Sequence, residues 1–435
     1  MDESLLVLVA GAVLMLGAAV PTVLARRRRE RDAHAARATA RDYGLHEPVS
    51  LHPVVDPGRC IGSGTCIDVC PENVLGMIDG QAVAIAPARC VGHGLCERAC
   101  PMEAITLVFG TSTRGIELPR IRENFETNVP GVFIIGELGG MGLVRNAFEQ
   151  GRQCIAGIAK DRARADGDVL DVAVVGCGPA GLSAALHLQQ AGLRFVVIEK
   201  EPDVGGAVRH YPRRKLVMTH TLDIPGHGRI REREVSKERL IEIWSDVVQQ
   251  ARLPIVTGTL VERVERDGGA FRVTTTDGVH RARRVILAIG RRGVPRKLGV
   301  PGEEGDNVYY GLAEPESFAG RRVLVVGGGD SSVEAALMLA NEPDTTVHLS
   351  YRRAQLARIK PANLDRFLDA VRTGRITPLW SSELRKITTH TVRYTDEAGT
   401  HTLPNDDVFV FIGGELPSKF LQETGVAMDT KFGEP

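Results

Sequence analysis

The chain has 435 residues, which is enough for two or three domains that each bury a hydrophobic core. Lysine plus arginine and aspartate plus glutamate number 54 each, so the formal net charge is zero. That balance provides no basic field for nucleic acid and no acidic tail. Six of the eight cysteines lie between residues 60 and 100 and the other two are isolated, so no disulfide framework is indicated.

The first notable element is an apolar run of 22 residues at positions 4–25, long enough as a helix to cross about 30 Å of hydrocarbon. Asp2 and Glu3 precede it and four arginines at 26–29 follow it, whereas a cleaved signal peptide carries its positive charge first. The positive-inside rule places the rest of the chain in the cytoplasm. The sequence therefore predicts a single-pass anchor in the cell inner membrane at 1–28, then a linker or surface amphipathic helix at 29–52.

The next element is a repeated cysteine motif, CIGSGTCIDVCP at 60–71 and CVGHGLCERACP at 90–101. Its spacing resembles that of two-cluster bacterial ferredoxins, in which the last cysteine of each motif ligates the other cluster. Residues 53–108 are therefore predicted to be a small α+β ferredoxin domain with two iron-sulfur clusters. The two predicted ligand sets are Cys60, Cys66 with Cys100, and Cys90, Cys96 with Cys70.

Each predicted cluster lacks one thiolate, because Ser63 and His93 occupy the positions where a further cysteine is expected. Three interpretations follow: a 4Fe-4S cluster completed by an oxygen or imidazole ligand, a 3Fe-4S cluster, or a lost cluster. We favour two occupied clusters and include His93 among the ligands, since imidazole binds metals readily and raises the potential of a cluster. Ser63, between two glycines, also fits a simple turn position. Zinc and disulfides are the alternatives that this spacing disfavours.

A dinucleotide-binding pattern follows at 171–181, DVAVVGCGPAG, where an apolar strand leads into a glycine loop and a helix. Such glycines permit a tight turn and close approach to a pyrophosphate at the helix N-terminus. The next strand ends in Glu199, which suits a ribose hydroxyl of an adenine dinucleotide. The predicted contacts in this half are Gly176, Gly178, Pro179, Ala180, Gly181, Glu199, Gly206 and Gly290.

The same pattern recurs at 323–337, VLVVGGGDSSVEAAL, with the predicted contacts Gly327, Gly329, Asp330, Ser331 and Ser332. Here the following strand ends without an acidic residue and continues into Arg352 and Arg353. Guanidinium groups bind a 2′-phosphate that a carboxylate would repel, so NADPH is predicted in preference to NADH. The alternative is that these arginines only occupy the surface.

Two further segments, VILAIGRRGVPRKLGVPGE from Val285 and DDVFVFIGGELP from Asp406, resemble the domain crossovers of thioredoxin reductase-like flavoproteins. The resemblance covers 171–435, and YPRRKLVMT with SYRR is most similar to the bacillithiol disulfide reductase branch. It implies an α/β fold with two Rossmann-like (three-layer ββα) dinucleotide-binding domains besides the ferredoxin domain and the transmembrane helix. The implied boundaries are an FAD domain at 168–295, an NAD(P)H domain at 296–412 and a return segment at 413–435.

In that family the chain continues into a segment resembling TNVPGVFAAGD, whose carboxylate holds the flavin ribityl chain. A similar segment stands earlier here, at 126–159, with Gly136 and Glu137 at the matching positions and a helix starting near Gly142. We therefore expect a circular permutation in which 109–163 completes the FAD domain and directs a helix N-terminus at the flavin. The alternative is that this segment completes the FAD site of a second subunit, which would require a homodimer.

The residues predict electron transfer rather than disulfide chemistry. No cysteine follows Cys177, and Ala180 stands where the bacillithiol branch has a cysteine. Cys177 and Cys154 are interpreted as packing residues, and no catalytic acid or base is assigned. The expected path joins NADPH, FAD and the clusters in either direction, with a quinone, a cytochrome or a soluble protein as redox partner. A reductase of an external disulfide and a non-enzymatic membrane relay are the alternatives.

Overall fold

The computed structural model describes residues 3–42, 45–48, 51–113, 115–161, 164–211, 213, 215–218, 221–232, 234–291, 295–356, 359–415 and 417–433. Of residues 3–16, 18, 42, 216, 218, 234, 361 and 362 it describes only the backbone. The chain divides into two compact units. The first comprises Met1–Gly115 with Phe432–Pro435, and the second comprises Ile116–Lys431.

The first unit begins with one long helix, α1, at Glu3–Asp42. The helix continues through the predicted linker and packs against the ferredoxin region. Ala33 and Ala40 are buried there beside Ile78, and Glu30 Oε1 accepts the backbone N–H of Asp79 at 2.7 Å. The last turns of α1 are therefore attached to the unit rather than forming a loose connection.

The predicted membrane anchor lies mainly outside the described residues, because the side chains of 3–16 and 18 are not described. Among the residues that are described, none of the helices has an apolar stretch long enough to cross a bilayer. The transmembrane helix therefore stays a prediction.

The rest of the first unit shows the internal repeat of the sequence. Its elements are β1 Leu51–Val55, α2 Thr65–Asp68, β2 Leu75–Ile78, β3 Gln81–Ala84, α3 Leu95–Ala99 and β4 Ile105–Phe109. β1 pairs with β4 and β2 pairs with β3, both antiparallel. The short helices α2 and α3 each follow a left-handed glycine, Gly64 (φ 78°) and Gly94 (φ 68°), a conformation that other residues adopt at a cost.

The second unit begins with the segment predicted to be displaced and continues into the first glycine loop. These elements are β5 Ile116–Pro119, β6 Val132–Ile134, α4 Val144–Ile158, β7 Leu170–Val175, α5 Pro179–Gln190 and β8 Phe195–Ile198. Next come β9 Leu216–Met218, β10 Leu222–Ile224, β11 Gly228–Ile230, β12 Glu234–Ser236, α6 Lys237–Ala251, β13 Ile255–Val256, β14 Val261–Asp267, β15 Ala270–Thr275 and β16 Gly278–Leu287.

A seven-stranded sheet organises this part of the chain, in the order β13-β8-β7-β16-β15-β14 with β6 also paired to β16. The carboxyl-terminal half of β16 has parallel neighbours on both sides, β7 and β6, with Leu287 in register with Val175 and Ile134. The parallel strands β6, β7 and β8 and the end of β16 are apolar and almost wholly buried, because both faces of this part of the sheet are covered. Buried residues of α4, α5 and α6 share the core on one face.

The following elements form a second dinucleotide-binding domain and the return to the first. They are β17 Val308–Tyr309, β18 Arg322–Val326, α7 Asp330–Leu339, β19 Thr346–Ser350, α8 Pro361–Arg372, β20 Ile376–Leu379, β21 Glu383–Ile387, β22 Thr391–Asp396, β23 Gly399–Pro404, β24 Asp407–Val410, α9 Ser418–Glu423 and β25 Met428–Lys431. A parallel sheet has the order β17-β24-β18-β19-β20, and β21, β22 and β23 form an antiparallel sheet.

The return segment meets the displaced segment directly. Leu421 and Val426 are buried in the same core as Val132 and Leu138. β25 pairs antiparallel with β5, so that Lys431 lies opposite Ile116. A short hairpin turn is all that would be needed to connect these two residues. This is the adjacency that a circular permutation requires.

The join between the displaced segment and β7 is held by polar contacts, among them those of a buried carboxylate. The Asp171 side chain, 1% exposed, accepts the N–H groups of Ala165 at 2.8 Å and Arg194 at 2.9 Å. The Arg194 guanidinium donates to the carbonyl oxygens of Gly167 at 2.7 Å and Val169 at 2.8 Å. The described part of this connection that leads into β7, residues 164–170, is thus a fixed turn.

We expect Asp171→Ala to lower the free energy of unfolding by about 2–4 kcal/mol, because two backbone N–H groups lose their buried acceptor. The exposed Asp168 in the same turn provides the matched control, and Asp168→Ala should change stability by no more than about 0.5 kcal/mol. Denaturant unfolding of both variants tests this. Equal stabilities would show that the turn does not hold the join.

Candidate functional sites

The six cysteines of the repeated motif line two separate cavities in the first unit. Each set combines two cysteines of one motif with the last cysteine of the other, and the sets are Cys60 and Cys66 with Cys100, and Cys90 and Cys96 with Cys70. The structure therefore brings together the residues that the sequence analysis grouped.

The thiols of these cavities are protonated unless a bound metal ion removes their protons. Burial, followed by the nearby Cys100 and Cys60, raises the pKa of Cys66 to about 11. Burial also raises the pKa of Cys90 to about 11. A metal ion deprotonates a coordinating thiol despite such a pKa. Within the described residues no three His, Cys, Asp or Glu side chains converge on a single ion. The cysteines of a cluster instead stand around a cavity, each on its own iron.

The two residues at the vacant cysteine positions also line these cavities. Ser63 belongs to the first cavity and lies 3.2 Å, Oγ to Oγ1, from Thr65. His93 belongs to the second, and its Nε2 lies 3.4 Å from Glu72 Oε1. The assignment of His93 as a ligand stays a prediction, as does the nuclearity of each cluster.

The crossed ligand sets lead to a test based on double substitution. Cys66→Ala and Cys100→Ala should each remove about half of the bound iron, because each opens the same cavity. Their combination should remove no more iron than either alone, whereas Cys66→Ala with Cys70→Ala should remove nearly all of it. Iron analysis and electron paramagnetic resonance measure these amounts. The reverse pattern would assign each motif to its own cluster.

The first glycine loop has the shape that a dinucleotide needs. Gly176 has φ +98°, and a Cβ placed on it would lie 2.7 Å from the carbonyl oxygen of Ala288. A Cβ on Gly181 would collide with the carbonyl oxygen of Gly176. Gly206 packs against the same loop, since its Cβ would lie 2.9 Å from the Cα of Gly178. Helix α5 starts at Pro179 and directs its N-terminus into this loop.

The predicted ribose ligand, Glu199, lies beside this loop and is largely buried. Its carboxylate accepts the N–H groups of Cys177 at 2.6 Å and Glu201 at 3.0 Å. Each carboxylate oxygen has a second lone pair, so these contacts leave room for a ribose hydroxyl. Gly290, which follows β16 with φ +67°, has open space where a Cβ would point.

The displaced segment lies against the same loop within one chain. A Cβ on Gly136 would be 3.0 Å from that of Ala180, and the Gly136 N–H donates to the buried Gln150 Oε1 at 2.7 Å. Glu137 follows directly and is exposed. The first turns of α4 are close, because the same Gly136 Cβ would lie 4.0 Å from Ala147. The structure thus brings Gly136 and Glu137 next to the loop of Gly176.

Helices α4 and α5 pack unusually closely at one glycine. A Cβ on Gly151 would lie 2.7 Å from both the carbonyl oxygen of Ala180 and the Cβ of Ser183. At the same contact Ser183 Oγ donates to the Phe148 carbonyl at 2.6 Å. Sequence reasoning missed this contact, although a glycine amid a helical pattern is a signal for close packing.

Neither cysteine outside the ferredoxin motif has the properties of a nucleophile. Burial, followed by the Glu199 carboxylate, raises the pKa of Cys177 to about 12. Burial alone raises the pKa of Cys154 well above its usual range. Both thiols are therefore protonated at neutral pH, where a reactive cysteine would be a thiolate. The geometry agrees with their interpretation as packing residues.

The second glycine loop is built in the same way with one substitution. Gly327 has φ +142°, and a Cβ there would collide with the carbonyl oxygen of Phe411. Ser332, fully buried, takes the place of the third glycine, and its Oγ donates to the Gly329 carbonyl at 2.7 Å. The half-buried Ser331 lies beside it at the start of α7. The backbone is therefore free to approach a pyrophosphate here too.

The side chain of Asp330 has a structural partner that the sequence analysis did not foresee. Its Oδ1 accepts the N–H of Lys360 at 3.0 Å and the side-chain amide of Asn363 at 2.8 Å. The same amide donates to Glu334, which in turn pairs with Lys215 at 2.8 Å. Asp330 thus anchors the start of α8, and this network continues to the segment that precedes α6.

The exposed arginines Arg352 and Arg353 follow β19. The end of β19 lies beside the second loop, because the Gly327 N–H donates to the Ser350 carbonyl at 3.0 Å. The ring of Tyr351 lies across Gly328, where any Cβ would overlap it. Sequence reasoning missed Tyr351, whose signal is an aromatic residue directly before the arginine pair. The arginines are therefore placed next to the loop where a 2′-phosphate is expected.

Comparison with known proteins agrees with the dinucleotide-binding loops and with the paired cysteine motifs. Residues 173–435 match the family profile of pyridine nucleotide-disulphide oxidoreductases. This chain belongs to that family. Residues 52–101 match the profile of 4Fe-4S dicluster domains. The protein is thus an oxidoreductase of the pyridine nucleotide-disulphide family with an additional 4Fe-4S dicluster domain. The family match begins after the segment at 126–159, as expected if that segment is displaced.

Individual relatives are also named as reductases. A ferredoxin–NADP reductase of Thermus thermophilus is 34% identical over 229 residues, which are 51% of this chain and 64% of that protein. The bacilliredoxin reductase Bdr of Bacillus subtilis is 31% identical over 268 residues, 60% of this chain and 82% of the relative. The chain therefore spans just under two thirds of the length of the Thermus relative and more of the Bacillus one.

A solved structure supports the fold. The bacillithiol disulfide reductase Bdr of Bacillus cereus is 31% identical, with a TM-score of 0.53, over 59% of this chain and 82% of that structure. The predicted resemblance to the bacillithiol disulfide reductase branch of this family is confirmed.

Proposed function

We propose that this protein passes electrons between NADPH, a bound FAD and its two iron-sulfur clusters. The observation that carries the proposal is that Gly136 lies against Ala180 of the flavin loop. Gly136 directly precedes Glu137 and belongs to the segment that follows the ferredoxin domain in the chain. Together such groups exchange the paired electrons of a nicotinamide for single electrons. The fusion makes a diffusing carrier unnecessary.

Residues of the two glycine loops would bind the dinucleotides and hold them in place. The left-handed Gly176 and the close contact of Gly181 hold the first loop open to a pyrophosphate, and Glu199 keeps that loop in shape. Gly327 and Ser332 do the same in the second loop. The relatives named as ferredoxin–NADP reductases support NADP as coenzyme and a ferredoxin as electron partner.

Reduction of an external disulfide is the second candidate, because two relatives are named as bacilliredoxin or bacillithiol disulfide reductases. The thiols of this chain argue against it. Cys177 and Cys154 are buried and protonated at neutral pH, and Ala180 stands at the position of the branch's cysteine. Electron transfer to the clusters is therefore the function that the residues support best.

The test is an anaerobic titration of the purified protein with NADPH, followed by its visible spectrum. Bleaching of the flavin bands together with the broad cluster absorption supports the proposal. Bleaching of the flavin alone supports the disulfide reductase, and no response supports a non-enzymatic relay. The control is the variant Cys66→Ala with Cys70→Ala, which should lose the cluster response and keep that of the flavin.

Attachment to the inner membrane, with the other domains in the cytoplasm, stays a prediction based on the apolar run at 4–25 and the arginines at 26–29. A quinone, a cytochrome or a soluble protein would then complete the path, and a homodimer stays a prediction as well. Fractionation of cells that make the full chain, or a chain starting at residue 29, tests the attachment. A full chain found in the soluble fraction would contradict it.

A further inference from the structure

The two cluster cavities are related by the internal repeat but differ at two of its positions. Ser63 and His93 are 30 residues apart, as are Glu72 and Met102. Each of the latter two stands two positions after the last cysteine of its motif and, like that cysteine, lines the cavity of the other motif. One cavity therefore contains a hydroxyl and a thioether, and the other contains an imidazole and a carboxylate.

The imidazole and the carboxylate contact each other. His93 Nε2 lies 3.4 Å from Glu72 Oε1, and their side chains are only 10% and 17% exposed. A histidine that binds metal usually donates its other ring N–H to such a carboxylate, which fixes the tautomer and the ring orientation. With the Nε2 proton directed at Glu72, Nδ1 is the unprotonated nitrogen of the neutral ring, and a metal is bound through that kind of nitrogen.

The first cavity has a different arrangement. Ser63 Oγ lies 3.2 Å from the Thr65 hydroxyl, and Met102 is 43% exposed. Neither side chain brings a negative charge, and a thioether is only a weak hydrogen-bond acceptor. Of the two copies of the repeat, only the second thus places an imidazole beside a carboxylate at this position.

We propose that Glu72 is a positioning residue that presents His93 as the fourth ligand of the cluster held by Cys70, Cys90 and Cys96. The inference rests on the proposed function in requiring that clusters are bound. It makes the two clusters chemically unequal. A neutral imidazole raises the potential of a cluster relative to a thiolate, and the Glu72 carboxylate counters part of that rise by increasing the basicity of the ring.

The experiment uses the intact protein, labelled with ¹⁵N-histidine, reduced with dithionite and examined by pulsed electron paramagnetic resonance. Wild type should show a histidine nitrogen strongly coupled to one cluster. His93→Cys should keep the iron and lose that coupling. Glu72→Gln should change the coupling and shift the potential of this cluster in the positive direction, because a negative charge is removed. Met102→Gln, the matched change in the other cavity, should leave the coupling as it is.

The outcomes separate this inference from the proposed function. Iron without histidine coupling in wild type would overturn the role of His93 and leave the function intact. A coupling and potential unchanged by Glu72→Gln would overturn the role of Glu72. If Glu72→Gln loses iron, recovery of iron and coupling in Glu72→Asp supports the positioning role, and failure to recover them contradicts it. A wild-type protein without iron would overturn the proposed function itself.

Discussion

Replacing Gly151 by valine is expected to leave the purified protein largely free of flavin. A Cβ at this position would lie 2.7 Å from both the backbone of Ala180 and the side chain of Ser183. Both neighbours belong to α5, whose start forms the flavin loop. Helix α4 must therefore move away from α5 and take Gly136 and Glu137 with it. Overpacking of this kind costs about 1–3 kcal/mol, and more where backbone is the obstacle.

The measurement is the ratio of flavin to protein by absorbance, together with the thermal midpoint. Gly157 is the matched control, because it lies in the same helix, is exposed and has no atom within 4 Å of an added Cβ. Gly157→Val should keep the flavin and change stability by about 0.5 kcal/mol at most. Full flavin content in Gly151→Val would show that the displaced segment does not form the flavin site.

The second large effect is expected on the binding of NADPH. Replacing both Arg352 and Arg353 by alanine should raise KM for NADPH by ~100-fold, on the basis of about 1.4 kcal/mol for each exposed charge-assisted contact. KM for NADH should change little, because NADH has no 2′-phosphate. Steady-state reduction of ferricyanide with each coenzyme measures both values.

The control for this pair is Arg393→Ala, which removes an exposed arginine from the antiparallel sheet of the same domain. We expect its two KM values to equal those of the wild type. An equal loss with NADPH and NADH in the double variant would show that the arginines support the fold of the loop and do not discriminate the phosphate. No loss with either coenzyme would mean that they only occupy the surface.

Local patterns were sufficient where the chemistry of a site depends on contiguous residues. The cysteine spacing predicts two crossed ligand sets, and the cavities contain those same sets because a short loop and one helical turn determine where each thiol lies. The two glycine loops were equally readable, since Gly176 and Gly327 adopt backbone angles and contacts that exclude a side chain.

Contacts between distant parts of the chain were not readable in this way. The bond of Asp330 to Lys360 and Asn363 depends on where α8 lies. The pair of Glu72 with His93 depends on the crossing of the two motifs, and Tyr351 contacts Gly328 only because their strands are neighbours. The local sequence around a side chain does not predict a contact that depends on tertiary packing.

By itself the sequence determined the two glycine loops, the grouping of the six cysteines into two sets and the expectation that 126–159 belongs to the flavin domain, because each depends on residue types at short spacing. Only the tertiary structure decided that β6 lies beside β16, that β25 closes against β5, and that Gly151 sets the distance between α4 and α5. Strand pairing and helix packing join residues far apart in the chain, so their energies depend on shape and not on local order.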